Sequence, residues 1–187
     1  VNRTFLTFIY ISLGLSCGIC ADQVVLKGPS QQAENVTSVA PAKLEVSWSD
    51  IDAVSRQLCE PLKGKTWAGI LAITRGGLIP AGILAQSLKI RRIEAINVKS
   101  YDAGAKRGEI ALLNAPQIKN KGENWIIVDD LVDSGNTARA VKELYPKAVY
   151  AVLYAKPKGL SAADHHVQLV AQDTWIVFPW ERHEEND

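Results

Sequence analysis

The sequence predicts an α/β domain with a central, mostly parallel sheet flanked by helices, and two stretches carry that expectation. In the first, residues 123–137 (ENWIIVDDLVDSGNT), the apolar run Trp125-Ile126-Ile127-Val128 leads into adjacent carboxylates, Asp129 and Asp130. Leu131 and Val132 follow, then Asp133-Ser134-Gly135-Asn136-Thr137 and a helical pattern. Four consecutive apolar residues between turn-forming segments mark a strand buried on both faces, as in parallel sheets. In the second, the apolar residues 67–73 lead into Thr74-Arg75-Gly76-Gly77 and then into the helical spacing of residues 78–88. Two strand–loop–helix units point to parallel crossovers.

Size and composition fit that class. A chain of 187 residues suits one domain of usual size with room for an appendage. Hydrophobic residues at 47% and charged residues at 22% supply a real core and argue against global disorder. A formal net charge of +1 removes any broad electrostatic case for nucleic-acid binding, although a local phosphate site needs no such excess. Cys17, Cys20 and Cys59 do not suggest a disulfide scaffold. Cys17-Gly18-Ile19-Cys20 is formally a C-x-x-C, but no suitable strand precedes it and three histidines do not support a zinc set. His165, His166 and His183 read as surface residues.

Taken in order, the chain opens with an apolar stretch at residues 5–21 behind Arg3, similar to the n- and h-regions of a secretory signal. It is short and glycine-interrupted for a transmembrane helix, so a membrane tether and a start placed too far upstream are the alternatives. Residues 22–43 lack lasting periodicity and read as linker, with Asn35-Val36-Thr37 a coincidental glycosylation pattern. The division expected is therefore residues 1–43 outside the core and 44–187 as the folded domain.

Ser49 or Asp50 is the expected cap of a first helix, with Ile51, Val54 and Leu58 as its apolar face and Pro61 and Gly64 at its end. Pro80 stands near the start of the 78–88 helix, where proline is tolerated. Residues 93–101 form another strand. The polar excursion at 102–108 is either a mobile lid or a long hairpin turn, and residues 109–113 return to apolar character. Beyond Thr137, Ala138, Ala140, Val141 and Leu144 outline a helix ending near Pro146. Residues 148–155 are the next buried strand, entering Lys156-Pro157-Lys158-Gly159. Residues 167–170 and 175–180 are apolar and aromatic, and 181–187 read as a frayed tail.

The chemistry concentrates at the exits of these strands, where open α/β sheets bind ligands. A glycine-containing loop running into a helix offers backbone N–H groups and a positive helix end to an anion. Beside it, carboxylates suit a sugar diol or its metal. The combination fits a ligand bearing hydroxyls and a phosphate; the alternative is a pair of surface aspartates before a helix capped by Asp133 or Ser134. No Walker A loop is present. Arg75 can fork onto phosphate oxygens or be a solvated turn residue. Lys156 can donate to a base carbonyl or decorate the sheet edge. Arg107 is the preferred cation of the 102–108 segment, ahead of Lys106.

The ordered segments AITRGGLIPAGILAQSL, Ser100-Tyr101-Asp102, WIIVDDLVDSGNTA, YAKP and QDTWIVFPW closely resemble type I purine phosphoribosyltransferases, above all the bacterial xanthine-guanine branch. The likeness covers roughly residues 44–181. It implies the type I phosphoribosyltransferase fold with a small hood. The implied reaction is Mg2+-dependent transfer of 5-phosphoribosyl from phosphoribosyl pyrophosphate to N9 of guanine, xanthine or hypoxanthine, a purine salvage step toward GMP and XMP.

On that resemblance Asp129 and Asp130 face the ribose hydroxyls, with Asp130 as metal ligand. Asp133 assists proton transfer at N7 of the purine. The donor-binding set is Thr74, Arg75, Gly76, Arg107, Asp129, Asp130, Leu131, Val132 and the loop Asp133, Ser134, Gly135, Asn136 and Thr137. Lys156 donates to the 6-oxo group, Trp175 stacks on the base, and Ile176 offers backbone groups to the 2-substituent. A non-proline cis peptide is implied at Thr74-Arg75. So are a homo-oligomer, specifically a tetramer, and a cytoplasmic location with peripheral association at the inner face of the cell membrane.

Three departures qualify the likeness. Asn136 replaces a loop glycine, Val177 and Phe178 replace polar residues, and the sequence stops soon after Glu181 where relatives continue. Two rivals follow: a catalytically weak regulatory protein sensing a phosphoribosyl ligand, and the same enzyme with a hypoxanthine preference.

Overall fold

A computed structural model describes residues 42–100 and 110–181. The chain divides into the units Val1–Ser38 and Val39–Asp187, and every described residue belongs to the second. The apolar residues 5–21, Cys17, Cys20, Asn35, Lys106, Arg107 and His183 lie outside the described residues.

Six strands form the main sheet: β2 (Gly69–Thr74), β3 (Ile93–Ser100), β4 (Ile110–Asn114), β5 (Trp125–Val132), β6 (Val149–Ala155) and β7 (His165–Leu169). Their order is β4-β3-β2-β5-β6-β7. All neighbours pair in parallel except β3 and β4, so one antiparallel strand edges a parallel sheet. A separate two-stranded ribbon joins β1 (Lys43–Glu45) to β8 (Trp175–Val177) in parallel.

The continuous apolar runs follow from the two covered faces of this sheet. On one side Ile70, Ala72, Ile126, Val128, Ala151 and Leu153 pack with Ile51, Val54 and Leu58 of α1 (Trp48–Cys59) and Ala81 and Leu84 of α2 (Leu78–Leu88). On the other, Leu71, Ile73, Ile127 and Val152 pack with Ala138 and Val141 of α3 (Asn136–Leu144). Ile126 and Ile127 are thus both fully buried, on opposite faces. At about 1.5–3 kcal/mol per buried aliphatic side chain, either one outweighs strand propensity, whose whole scale spans about 1 kcal/mol.

Several boundaries differ from the sequence expectation. The cap of α1 is Ser47 rather than Ser49 or Asp50: its Oγ accepts the Asp50 N–H at 3.2 Å, while Asp50 Oδ2 accepts the Ser47 N–H at 2.9 Å. That reciprocal capping box satisfies two orphan donors together, and a cap at Ser49 would satisfy one. Trp67 stays out of β2 because its Nε1 donates to the Leu62 carbonyl at 2.9 Å. β5 is twice the expected length and includes Asp129 and Asp130. β8 leaves the main sheet for β1, a three-residue strand too short to leave a periodic signal.

The expectation of membrane association is corrected: among the described residues, no helix is long and apolar enough to cross a membrane.

Candidate active site

The sheet reverses its winding between β2 and β5, since β3 lies beyond one and β6 and β7 beyond the other. The β2–β5 register runs from Gly69↔Trp125 to Ala72↔Val128 and stops. Past that point the two strand ends open a crevice, the usual ligand position in such sheets. Asp129 and Asp130 are the first residues of β5 beyond the shared register.

The two carboxylates are handled differently. Register Ile127↔Tyr150 places Asp129 diagonally from Tyr150 on the same face, and Asp129 Oδ2 accepts the Tyr150 hydroxyl at 2.9 Å. Burial holds Asp129 well above the usual carboxylate range, and the neighbouring Asp130 charge adds to the effect. Asp129 lines neither of the two cavities at the site, whereas Asp130 lines both. Burial pushes Asp130 up to about 6, against its hydrogen bond from the Leu131 N–H at 2.8 Å.

This donor set fits a hard divalent cation. A positive ion beside Asp130 would offset the desolvation that now disfavours its charge. Among the described residues no group of three or more His, Cys, Asp or Glu could hold a metal by itself. A carboxylate completed by substrate oxygens and water is the coordination Mg2+ commonly takes.

The first cavity, about 310 Å3, is walled by the loop from Asp130 to Ala138, by Tyr150 and Lys156, and by Trp175, Ile176, Phe178 and Glu181. Its loop turns into α3 through Gly135 at φ 81°, a left-handed conformation suited to glycine. No side chain caps α3. Ser134 Oγ, one position before the cap residue, accepts the Asn136 N–H at 3.4 Å. Arg139, one turn into α3, clasps the loop from behind: Nη2 donates to the Ser134 carbonyl at 2.8 Å and to Asn136 Oδ1 at 2.9 Å.

Asp133 leaves the helix end and turns toward Lys156 and Gln172. Its Oδ2 accepts Lys156 Nζ at 3.0 Å, and its Oδ1 accepts Gln172 Nε2 at 2.6 Å. Lys156 follows β6 directly, and its backbone N–H extends the ladder to the Val132 carbonyl at 2.9 Å. The side chain of Lys156 is buried while that of Asp133 is about half exposed, so the pair points from the core into the cavity.

At the β2 exit, Thr74 Oγ1 donates to the Ile96 carbonyl at 3.2 Å, and the Thr74–Arg75 peptide is cis as the resemblance implies. Arg75 and Gly76 line a second cavity of about 390 Å3 with Leu78, Ile79, Asp130, Trp180 and Glu181. The cavities therefore share Asp130 and Glu181.

The far wall of the first cavity is β8 and its continuation. Trp175 is exposed by 66%, Ile176 is buried, and Phe178 stacks on Trp180 with centroids 4.9 Å apart. Glu181 is no frayed residue: its Oε2 accepts the Phe178 N–H at 3.2 Å. Tyr150, Gln172, Arg139 and Glu181 are not visible as site residues in the sequence. Tyr150 lies inside a buried strand, and Gln172 and Glu181 belong to no local motif; a polar side chain flanking an aromatic run is the one available signal. Arg107 lies outside the described residues. The structure brings together Asp130, Asp133, the 134–137 loop, Lys156, Trp175 and Ile176 around the first cavity, and sets Arg75 and Gly76 around the second.

The parallel sheet, the crevice at its winding reversal and the loop at the start of α3 define an α/β enzyme that binds a phosphorylated ligand. Residues 45–186 match the phosphoribosyl transferase domain, and the chain belongs to that family. It is 50% identical over 140 residues to the xanthine-guanine phosphoribosyltransferase of Gluconobacter oxydans, covering 73% of this chain and 83% of that one. Among solved structures, the purine phosphoribosyltransferase of Pyrococcus horikoshii aligns with a TM-score of 0.63 at 30% identity, over 74% of this chain and 93% of that one. The xanthine-guanine-hypoxanthine phosphoribosyltransferase of Helicobacter pylori aligns with a TM-score of 0.65 at 25% identity, over 77% and 97%. The fold is that of the type I phosphoribosyltransferases, with the β1–β8 ribbon as its hood.

Proposed function

We infer that this chain transfers the 5-phosphoribosyl group of phosphoribosyl pyrophosphate to N9 of guanine, xanthine or hypoxanthine and releases pyrophosphate. The observation that carries this reading is the buried Lys156 held 3.0 Å from Asp133 at the mouth of an uncapped helix. One group donates to an oxo oxygen, the other accepts from a ring N–H, and the helix end takes a phosphate.

The amides of Asp133, Ser134, Gly135, Asn136 and Thr137 and the positive end of α3 hold the 5-phosphate, with Leu131 and Val132 leading into that loop. Asp130 faces the ribose hydroxyls, and Asp129, buried behind it, is tied to the Tyr150 hydroxyl. Thr74, Arg75 and Gly76 hold pyrophosphate in the second cavity, assisted by Arg107. Trp175 stacks on the base and Ile176 meets its 2-substituent with backbone groups. Breaking the C1–pyrophosphate bond leaves oxocarbenium character on the ribose and negative charge on the departing group. Asp130 favours the first and Arg75 the second. Asp133 accepts the hydrogen bond from N7–H, which shifts electron density toward N9, and takes that proton as the N9–C1 bond forms, leaving a neutral base on the nucleotide. Asp130 would hold Mg2+ there, and the ion would neutralise charge on the departing pyrophosphate.

The folded catalytic unit begins at about Leu44. It works as a homo-oligomer, a tetramer, in the cytoplasm, where its phosphorylated donor is found. The test incubates purified protein with phosphoribosyl pyrophosphate, Mg2+ and guanine, xanthine, hypoxanthine or adenine in turn and separates the nucleotides formed. Oxopurines are expected to react and adenine to react poorly, because Lys156 needs an acceptor where adenine carries an amino group. Adenine as the best substrate overturns the reading.

A further inference from the structure

Gln172, in the turn before β8, spans two other loops with one side chain. Its Oε1 accepts the Lys158 backbone N–H at 2.9 Å, and its Nε2 donates to Asp133 Oδ1 at 2.6 Å. Chemistry fixes the orientation of this carboxamide. Only its oxygen can accept the Lys158 N–H, so its nitrogen must face the carboxylate. Three segments thereby meet at one residue: the loop after β5 through Asp133, the turn after β6 through Lys158, and the base wall, which continues from Gln172 to Trp175 and Ile176.

The Lys156 contact does not by itself orient Asp133. An ammonium is a rotationally undemanding donor, and a half-exposed carboxylate touching it at one oxygen can still turn about its own side-chain bonds. A second donor at the other oxygen sets the plane. Lys156 also has another task in the reading above, which is donation to the 6-oxo group of the base. As the base draws Nζ toward itself, Gln172 remains the donor that keeps Asp133 in place. Two of the carboxylate's roughly four acceptor sites are then used at rest, leaving room for the purine N–H.

We propose that Gln172 is a positioning residue: it holds Asp133 as an oriented acceptor for the purine and couples that orientation to the seating of Trp175 and Ile176. This rests on the role given to Asp133 in the proposed function.

The test uses the full chain with Gln172→Leu, Gln172→Glu and Asp133→Asn. Loss of a hydrogen bond to a charged group corresponds to roughly tenfold or more. Gln172→Leu is therefore expected to lower kcat with guanine by about that factor, leaving KM for phosphoribosyl pyrophosphate within about twofold and the thermal midpoint unchanged. Gln172→Glu sets a second carboxylate against Asp133, so the two share a proton and the acidic limb of the kcat–pH profile moves to higher pH. A merely structural residue would lower activity evenly across pH. If Gln172→Leu does not fold, the Gln172→Glu profile decides. Near-normal kcat in Gln172→Leu, or an unshifted limb in Gln172→Glu, overturns the proposal while a disabled Asp133→Asn keeps the role of Asp133 intact. Full turnover in Asp133→Asn overturns both.

Discussion

Gly76 and Asp130 touch across the point where β2 and β5 part: a Cβ built on Gly76 would fall on the Asp130 carboxylate. The backbone of the loop after β2 and the side chain shared by both cavities are thus fitted to each other, with no space for even a methyl group. Gly76→Ala must displace Asp130. Affinity for phosphoribosyl pyrophosphate is expected to fall at least about tenfold, the cost of one misaligned charge-assisted hydrogen bond, as measured by calorimetric titration with Mg2+ present. Unchanged affinity would show that Asp130 does not face the donor.

Within the sheet, the Tyr150 hydroxyl donates to Asp129 Oδ2. Tyr150→Phe leaves a buried carboxyl short of a donor, which costs roughly 1–3 kcal/mol. Urea denaturation of the ligand-free protein is expected to show a lower midpoint with an unchanged slope. A midpoint equal to wild type would mean that the hydroxyl contributes nothing to the fold.

Lys156→Met keeps most of the apolar stem and removes the donor. Loss of a charge-assisted bond, roughly 1.5–3 kcal/mol, predicts a fall in kcat/KM for guanine of about 10- to 150-fold. Discrimination against adenine should shrink at the same time. Steady-state kinetics on both bases would expose a wrong assignment if guanine alone were spared.

Metal dependence should be tied to substrate. With Asp130 as the protein's contribution, Mg2+ alone is expected to leave the thermal midpoint unchanged, and Mg2+ with phosphoribosyl pyrophosphate to raise it. Chelation should abolish turnover and added Mg2+ restore it. A marked shift with Mg2+ alone would point to a preformed protein site.

A pH effect follows from the cap of α1. The Ser47 side-chain hydrogen bond, followed by the Ser47 backbone N–H, holds Asp50 below the ordinary carboxylate value. A depressed folded-state value contributes stability above the unfolded value near 3.8, and that stability is lost as pH falls through the folded value. Asp50→Asn should therefore melt lower than wild type at pH 7, with the gap closing toward pH 3. Differential scanning calorimetry at both pH values reads this directly, and an equal gap at each would leave the Asp50 charge without a part in stability.

Much of the candidate site is legible in the sequence because its residues are contiguous. Asp129-Asp130 and the 133–137 loop follow one strand without interruption, so the buried run, the carboxylates and the glycine turn arrive at one sheet edge whatever the rest of the chain does. The Ser47 cap is not legible in the same way, because Ser49 and Asp50 offer equally good local chemistry and only the closed reciprocal pair separates them. Glu181 is hidden for a related reason: a polar residue after an aromatic run looks solvated until Phe178 offers it an N–H.

By itself, then, the sequence determined the parallel α/β class, the strand exits where the candidate residues lie, and the residue types gathered there, since burial on two faces and turn formation are properties of short segments. Tertiary structure alone decided that Asp129 turns to Tyr150 while Asp130 faces both cavities. It also brought Gln172 onto Asp133 from 39 residues away. Such contacts depend on sheet order and register between distant strands, and no local pattern encodes which of two adjacent carboxylates the fold will bury.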